Sequence, residues 1–214
     1  MKITKNVWTA ILLWMALCSF TLSAQVTGTE TIELSTLTGS CTITTAGTYH
    51  FKGTYSGTPT APIEPSEGTA VIHVEAEAGN VTIILENVNI SLSGEKQCPI
   101  SARNATGKVT VQLKGTNKLE TTNTSSGQCP ALWAPETPNG KLIIEESGTG
   151  SLIAKGAQNA PGIGSKGMQG SHITIKSGKI TANGGYQGAG IGGGNGGNGG
   201  TIIITNGTVK ATGV

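Results

Sequence analysis

A repeat begins at Cys98-Pro99-Ile100 and returns at Cys129-Pro130-Ala131, Ala160-Pro161-Gly162 and Ala189-Gly190-Ile191, with starts 31, 31 and 29 residues apart. Each opening leads through a polar or Gly-rich stretch to a short alternating strand. These strands hold Val109 and Val111, Leu142 and Ile144, Ile173 and Ile175, then Ile202 and Ile204. A turn and a second short strand follow each, marked by Leu119, Leu152, Ile180 and Val209. The last two copies, SHITIKSGKITANGG and GTIIITNGTVKATG, match in register. Short strands joined by Gly and Asn turns at such a period predict an all-β solenoid with coils of about 30 residues. One coil cannot bury its own core; coils stacked about 4.8 Å apart pair each strand with its counterpart. Alternation then turns Ile, Leu and Val inward and Thr, Lys and Asn outward. A β-sandwich is the structural rival, but sandwich strands need not resemble one another in sequence.

Composition agrees. Of 214 residues 33 are Gly, and charged residues are 12%, too few for a helical bundle or coiled coil. Gly does not recur at every third position, which excludes collagen. The chain contains no Asp; all 12 acidic residues are Glu. Sites built on Asp, such as EF-hand loops, nonapeptide calcium rolls and Ser-His-Asp triads, are therefore excluded.

Residues 1–24 read as a secretory signal peptide. Lys2 and Lys5 precede the apolar run Val7–Phe20, and a small residue, Ala24, precedes Gln25. The rivals are a membrane anchor, for which the run is short, and a lipoprotein anchored at Cys18, where Leu17 stands in place of a small residue. Residues 25–40 read as a lead-in and 41–214 as one β-helix domain. Cleavage leaves 12 basic residues against 12 Glu. No basic patch remains to attract nucleic acid or anionic membrane, and no membrane insertion is expected after cleavage. The protein is expected to be secreted or held at the cell surface. The repeat stops at Val214 without a cap, so end-to-end self-association or a longer parent chain is expected.

Thr42-Ile-Thr-Thr-Ala-Gly-Thr-Tyr-His-Phe-Lys-Gly-Thr, Val81-Thr-Ile-Ile-Leu-Glu-Asn-Val-Asn-Ile, and Pro99-Ile-Ser-Ala-Arg-Asn-Ala with Val109-Thr-Val-Gln-Leu follow one another along the chain. In these motifs and their order, residues 41 to about 125 resemble successive coils of a bacterial carbohydrate-binding domain. The Gly-rich end is similar to repeats common in surface proteins of gut bacteria. The resemblance implies a secreted right-handed parallel β-helix, shaped like polysaccharide lyases, that binds polysaccharide without established catalysis. It also implies bound calcium. The calcium sites of that family use Asp, so no metal or other cofactor is carried over to this chain.

Sugar recognition favours aromatic faces. Trp133, in one coil, and Tyr186, two coils on, would stand roughly 10 Å apart if both faced outward, near the length of a disaccharide; otherwise both rings cover the core. Three Cys follow residue 24: Cys41, Cys98 and Cys129. Cys98 and Cys129 open adjacent coils, a spacing that predicts a disulfide, with Cys41 left over. No catalytic residues are assigned. Glu145 and Glu146 are neighbours on a strand and face opposite ways. Glu75 and Glu77 would share a strand face about 7 Å apart beside His73, an arrangement that a solvated strand edge also explains. Residues 56–69, rich in Pro, Gly, Thr and Glu, read as a protruding loop. Three functions follow: a non-catalytic polysaccharide-binding module, a structural or adhesive surface solenoid, and a lyase or glycosidase.

Overall fold

The computed structural model describes residues 20–22, 30–64, 67–122 and 129–214. Of the leader expected at residues 1–24, residues 1–19 and 23–24 lie outside the described residues, as do residues 25–29 of the lead-in. The protein is a parallel β-solenoid of about six turns, with coils of about 29 residues.

Two sheets run the length of the stack. Sheet A joins β1 (Phe20–Leu22), β3 (Cys41–Ile43), β6 (Gly68–Val74), β8 (Gln97–Ser101), β10 (Leu132–Trp133), β12 (Ile163–Ser165) and β15 (Ile191–Gly193) in that order. Sheet B joins β2 (Glu30–Glu33), β4 (Gly47–Tyr55), β7 (Val81–Leu92), β9 (Lys108–Thr121), β11 (Lys141–Lys155), β13 (His172–Ile175) and β16 (Thr201–Ile204). The long strand β11 also pairs with β14 (Lys179–Asn183), which pairs with β17 (Thr208–Thr212). The ladder thus begins before Cys41: β2 pairs with β4, and Leu34 is fully buried.

The inward residues of the sequence repeat form continuous columns. Val109, Leu142, Ile173 and Ile202 lie in one register, and Val111, Ile144, Ile175 and Ile204 in the next. Each Ile or Leu so buried contributes about 1.5–3 kcal/mol relative to exposure. In the final coil Ile202 and Ile204 are exposed.

Sheet B bends where register shifts occur, between Lys52 and Gly53, Glu86 and Asn89, and Glu146 and Gly150. The corner needs left-handed backbone, supplied by Gly53, Asn87, Gly115 and Gly148, all at positive φ. One corner is plugged by a polar side chain. Asn117 is fully buried; its Oδ1 accepts from the Val88 amide at 2.9 Å, and its Nδ2 donates to the Lys114 and Ser151 carbonyls. Beyond the corner Leu152 therefore stacks on Asn117, and Leu119 on Ala154.

The segment expected to protrude instead folds back. Within it β5 (Ala61–Glu64) pairs antiparallel with β6. Pro62 is tolerated because β5 is an edge strand. The Ser40 hydroxyl fixes its start, accepting from the Thr60 and Ala61 amides at 2.6 and 2.8 Å. This strap buries Ile63 with Ala70, Cys98, Cys129 and Trp133 in a second cluster, separate from the main core.

Candidate functional site

Trp133 does not face a ligand. On β10 it follows Leu132, which belongs to the main core, so alternation turns the indole to the outer side of sheet A. There the strap covers it and its exposure is 0%. Glu136 Oε1 accepts the indole N–H at 2.7 Å, and also the Lys166 and Gly167 amides at 3.0 and 3.1 Å. Glu136 Oε2 accepts from Arg103 Nε at 3.1 Å. The Arg103 guanidinium and the Lys166 ammonium each stand 5.3 Å from the indole centroid, in cation–π contact. Glu67, at the end of the strap, is paired with Lys166 and lies 3.8 Å from Arg103. Two cations, two carboxylates and the strap thus enclose the ring. The sugar platform expected of Trp133 is corrected to a structural role: no face of the ring is free to stack.

Tyr186 is 60% exposed, whereas Tyr49, Phe51, Tyr55 and Trp133 are buried. Its turn explains why. A Cβ on Gly184 would lie 2.1 Å from the Gly188 carbonyl oxygen, and one on Gly185 would lie 2.0 Å from that of Ala157. Only glycine allows this approach, and Gln187 closes the turn at φ 60°. Backbone lies against backbone, and the phenol is left outside. It borders a groove of ≈ 440 Å³ with Thr121, Thr122, Lys155, Gly156 and Gln158. These residues come from three successive coils, so the groove runs roughly 10 Å along the axis. Lys155 is held 3.3 Å from Glu120, which Lys118 also contacts at 2.5 Å. The hydrogen bond from Lys118, aided by Lys155, lowers the Glu120 pKa and keeps it a carboxylate. A larger groove, ≈ 480 Å³, lies at the sheet B corner between Thr116, Glu146, Ser151 and Lys179. It has no aromatic in its wall, so Tyr186 marks the better candidate for sugar. The two expected aromatic residues do not form one platform; Tyr186 alone keeps an accessible ring.

Cys98 and Cys129 are buried free thiols, as is Cys41. The disulfide expected from the coil spacing is not formed in this structure. Ile100 pairs with Leu132, so the strict repeat from Cys98 falls on Pro130, one residue past Cys129.

Glu75 and Glu77, which the sequence allowed on one strand face beside His73 or on a solvated edge, do not lie on one strand. Strand β6 stops at Val74, and Ala76–Ala78 form a 3-10 turn. Strand alternation therefore does not place Glu75 and Glu77 on one face. His73 is buried, with Nε2 3.8 Å from Glu75 Oε1. Glu145 accepts from Gln112 at 2.9 Å and pairs with Lys176 at 3.3 Å. Glu146 accepts from its own corner, at the Gly150 amide.

One arrangement escapes sequence reading. Thr31 Oγ1 lies 3.3 Å from His50 Nδ1, and His50 Nε2 lies 2.8 Å from Glu86 Oε2. Neighbouring strands β2, β4 and β7 bring the three together, and only the strand register could have revealed it. Lys114 pairs with Glu86 at 3.0 Å and with His50 holds its pKa down, so the carboxylate is shared rather than reserved for the imidazole.

Among the described residues no three His, Cys or Glu side chains converge as metal ligands. Glu33, Glu86, Glu120 and Glu145 are instead each paired with lysine. The residues do not fit the ion that the resemblance implies.

No protein-family model, no curated protein and no solved structure matches the chain.

Proposed function

We propose that the protein is a non-catalytic carbohydrate-binding solenoid of the secreted bacterial kind, working outside the cell or on its surface. The observation that carries this reading is the exposed Tyr186 ring beside a groove that crosses three coils. A pyranose presents C–H groups on one face and hydroxyls at its rim. A phenol ring offers that face an apolar surface, while Lys155, Gln158 and Thr122 offer partners to the hydroxyls. Three coils of groove accommodate about two sugar units. Rigid ladders on both sides spare the site an ordering cost on binding. The resemblance of residues 41–125 to a carbohydrate-binding domain supports the same reading.

A structural or adhesive role is the second reading, favoured by the low share of aromatics, 4%, and by ion-paired outer strands such as Glu33–Lys52 and Glu145–Lys176. Catalysis ranks last, because Glu75 and Glu77, the one acid pair that the alternation allowed on a shared face, do not lie on one strand. Affinity electrophoresis against a panel of plant and host glycans separates the readings. Retardation in at least one gel, relieved by free oligosaccharide, is the expected result. Uniform mobility in all gels favours the structural role. Release of reducing or unsaturated sugar ends would favour an enzyme.

A further inference from the structure

Cys98 and Cys129 stand in consecutive coils and share one small buried cluster with Ile63, Ala70 and Trp133. Both thiols are essentially inaccessible, at 0% and 2% exposure. The strap closes over them: Cys129 Sγ lies 4.0 Å from the Glu67 carbonyl oxygen. Cys41 is elsewhere, packed in the main core beside Ile72. Adjacent strands of a ladder run about 4.8 Å apart, inside the Cα separation that a disulfide spans. The offset of one residue is a small displacement at a segment that enters a two-residue strand.

We propose that Cys98 and Cys129 are an oxidisable pair that closes into one disulfide, stapling two coils beneath the strap, while Cys41 stays a thiol. The oxidant is a disulfide of low molecular mass, such as oxidised glutathione. One cysteine thiolate attacks a glutathione sulfur and expels a glutathione thiolate. The second, once deprotonated, attacks the protein sulfur of that mixed disulfide and expels the other. Two protein S–H bonds and one glutathione S–S bond are lost. One protein S–S bond and two glutathione thiols are gained, and two electrons pass to glutathione.

Burial, the main cause, holds the Cys98 thiol well above its ordinary range, so thiolate is scarce while the strap is closed. The exchange therefore belongs to folding, or to moments when the strap lifts. After closure, the same cover shields the bond from reductant.

The test is oxidative refolding of the full chain. The protein is unfolded with reductant, refolded in a glutathione redox buffer, alkylated, digested and mapped by mass spectrometry. The expected product links the Cys98 and Cys129 peptides, leaves Cys41 alkylated, and melts roughly 10 °C above the reduced form. A bond that joins Cys98 or Cys129 to any other cysteine, or both of them alkylated after refolding, overturns the proposal. Should refolding fail, the native chain in sub-denaturing urea is treated with oxidised glutathione and mapped in the same way, with the same two outcomes. Cys129→Ser serves as the control: it should leave Cys98 carrying a single glutathione, and an intramolecular bond in this variant counts against the pairing.

Discussion

In the coils between β3 and β11 the interior is filled by side chains. Phe51, Leu85 and Leu113 stack in one column, and Tyr49, Ile83 and Val111 in the next. After Gly156 many of the approaches are between backbones. Gly164 pairs with Gly192, and a Cβ on Gly164 would lie 2.0 Å from the Gly192 oxygen. Gly188 approaches the Ala160 oxygen in the same way. The two regions share one period and one ladder, yet one fits coil to coil with aliphatic volume and the other with missing Cβ atoms. The comparison shows where a site can form. Corners drawn in to backbone thickness leave a large side chain such as Tyr186 nothing to cover it, whereas a ring on the side-chain-packed half, Trp133, is enclosed by strap and charges.

The largest effect should come from filling the backbone contact. Gly164→Ala is expected to cost on the order of 4 kcal/mol, from the clash and from its φ of +144°. Gly199→Ala, whose Cβ would find its nearest neighbour at 4.0 Å, should be close to neutral. Thermal melts of the two variants measure the contrast; equal stabilities would remove the distinction between the regions.

Leu113→Ala, in the side-chain-packed half, should cost about 3 kcal/mol through lost burial and a residual cavity. Denaturant titration gives the value, and a cost under about 1 kcal/mol would mean that this half tolerates voids.

Asn117→Ala should cost about 2 kcal/mol, because the Val88 amide and two carbonyls lose their partner in the interior. Amide exchange at Val88 should accelerate in step, and unchanged protection there would assign the corner to other contacts.

The smallest effect is electrostatic. Lysine partners lower the pKa of Glu120, and Gln112 and Lys176 that of Glu145. Their stabilisation is present above the unfolded carboxylate value, 4.5, and is lost as pH falls through the lower folded values. Solvent screening holds the total to less than about 1 kcal/mol. Melts between pH 6 and 3 should show a shallow decline that flattens when Glu120 is replaced by Gln; a steep loss above pH 5 would point to other groups.

Much of the fold was legible in the residues. Val109 over Leu142 over Ile173 over Ile202 follows from period and alternation alone, because each coil repeats the same burial. The strap was not legible, since Ala61-Pro-Ile-Glu has no alternation and gains its strand from β6. The polar plug at Asn117 and the Thr31–His50–Glu86 contact depend on register across 19 to 36 residues of sequence. Trp133 was misread for a related reason: its position in a coil was visible, but not the strap and the Glu136 carboxylate that enclose it. Tyr186 was marked by its ring and its place two coils on from Trp133, whereas the close glycine approaches that leave it outside were not legible.

In the function proposed above, the exposed Tyr186 ring on the glycine-packed half holds sugar, while the buried Trp133 ring on the other half holds the fold. Affinity electrophoresis of Tyr186→Ala and Trp133→Phe, each with its melting curve, tests both together. Tyr186→Ala should lose retardation by the retarding glycan with an unchanged melt, while Trp133→Phe should keep retardation and melt lower. Binding that survives Tyr186→Ala but is lost in a Trp133→Phe protein with an unchanged melt would contradict the account.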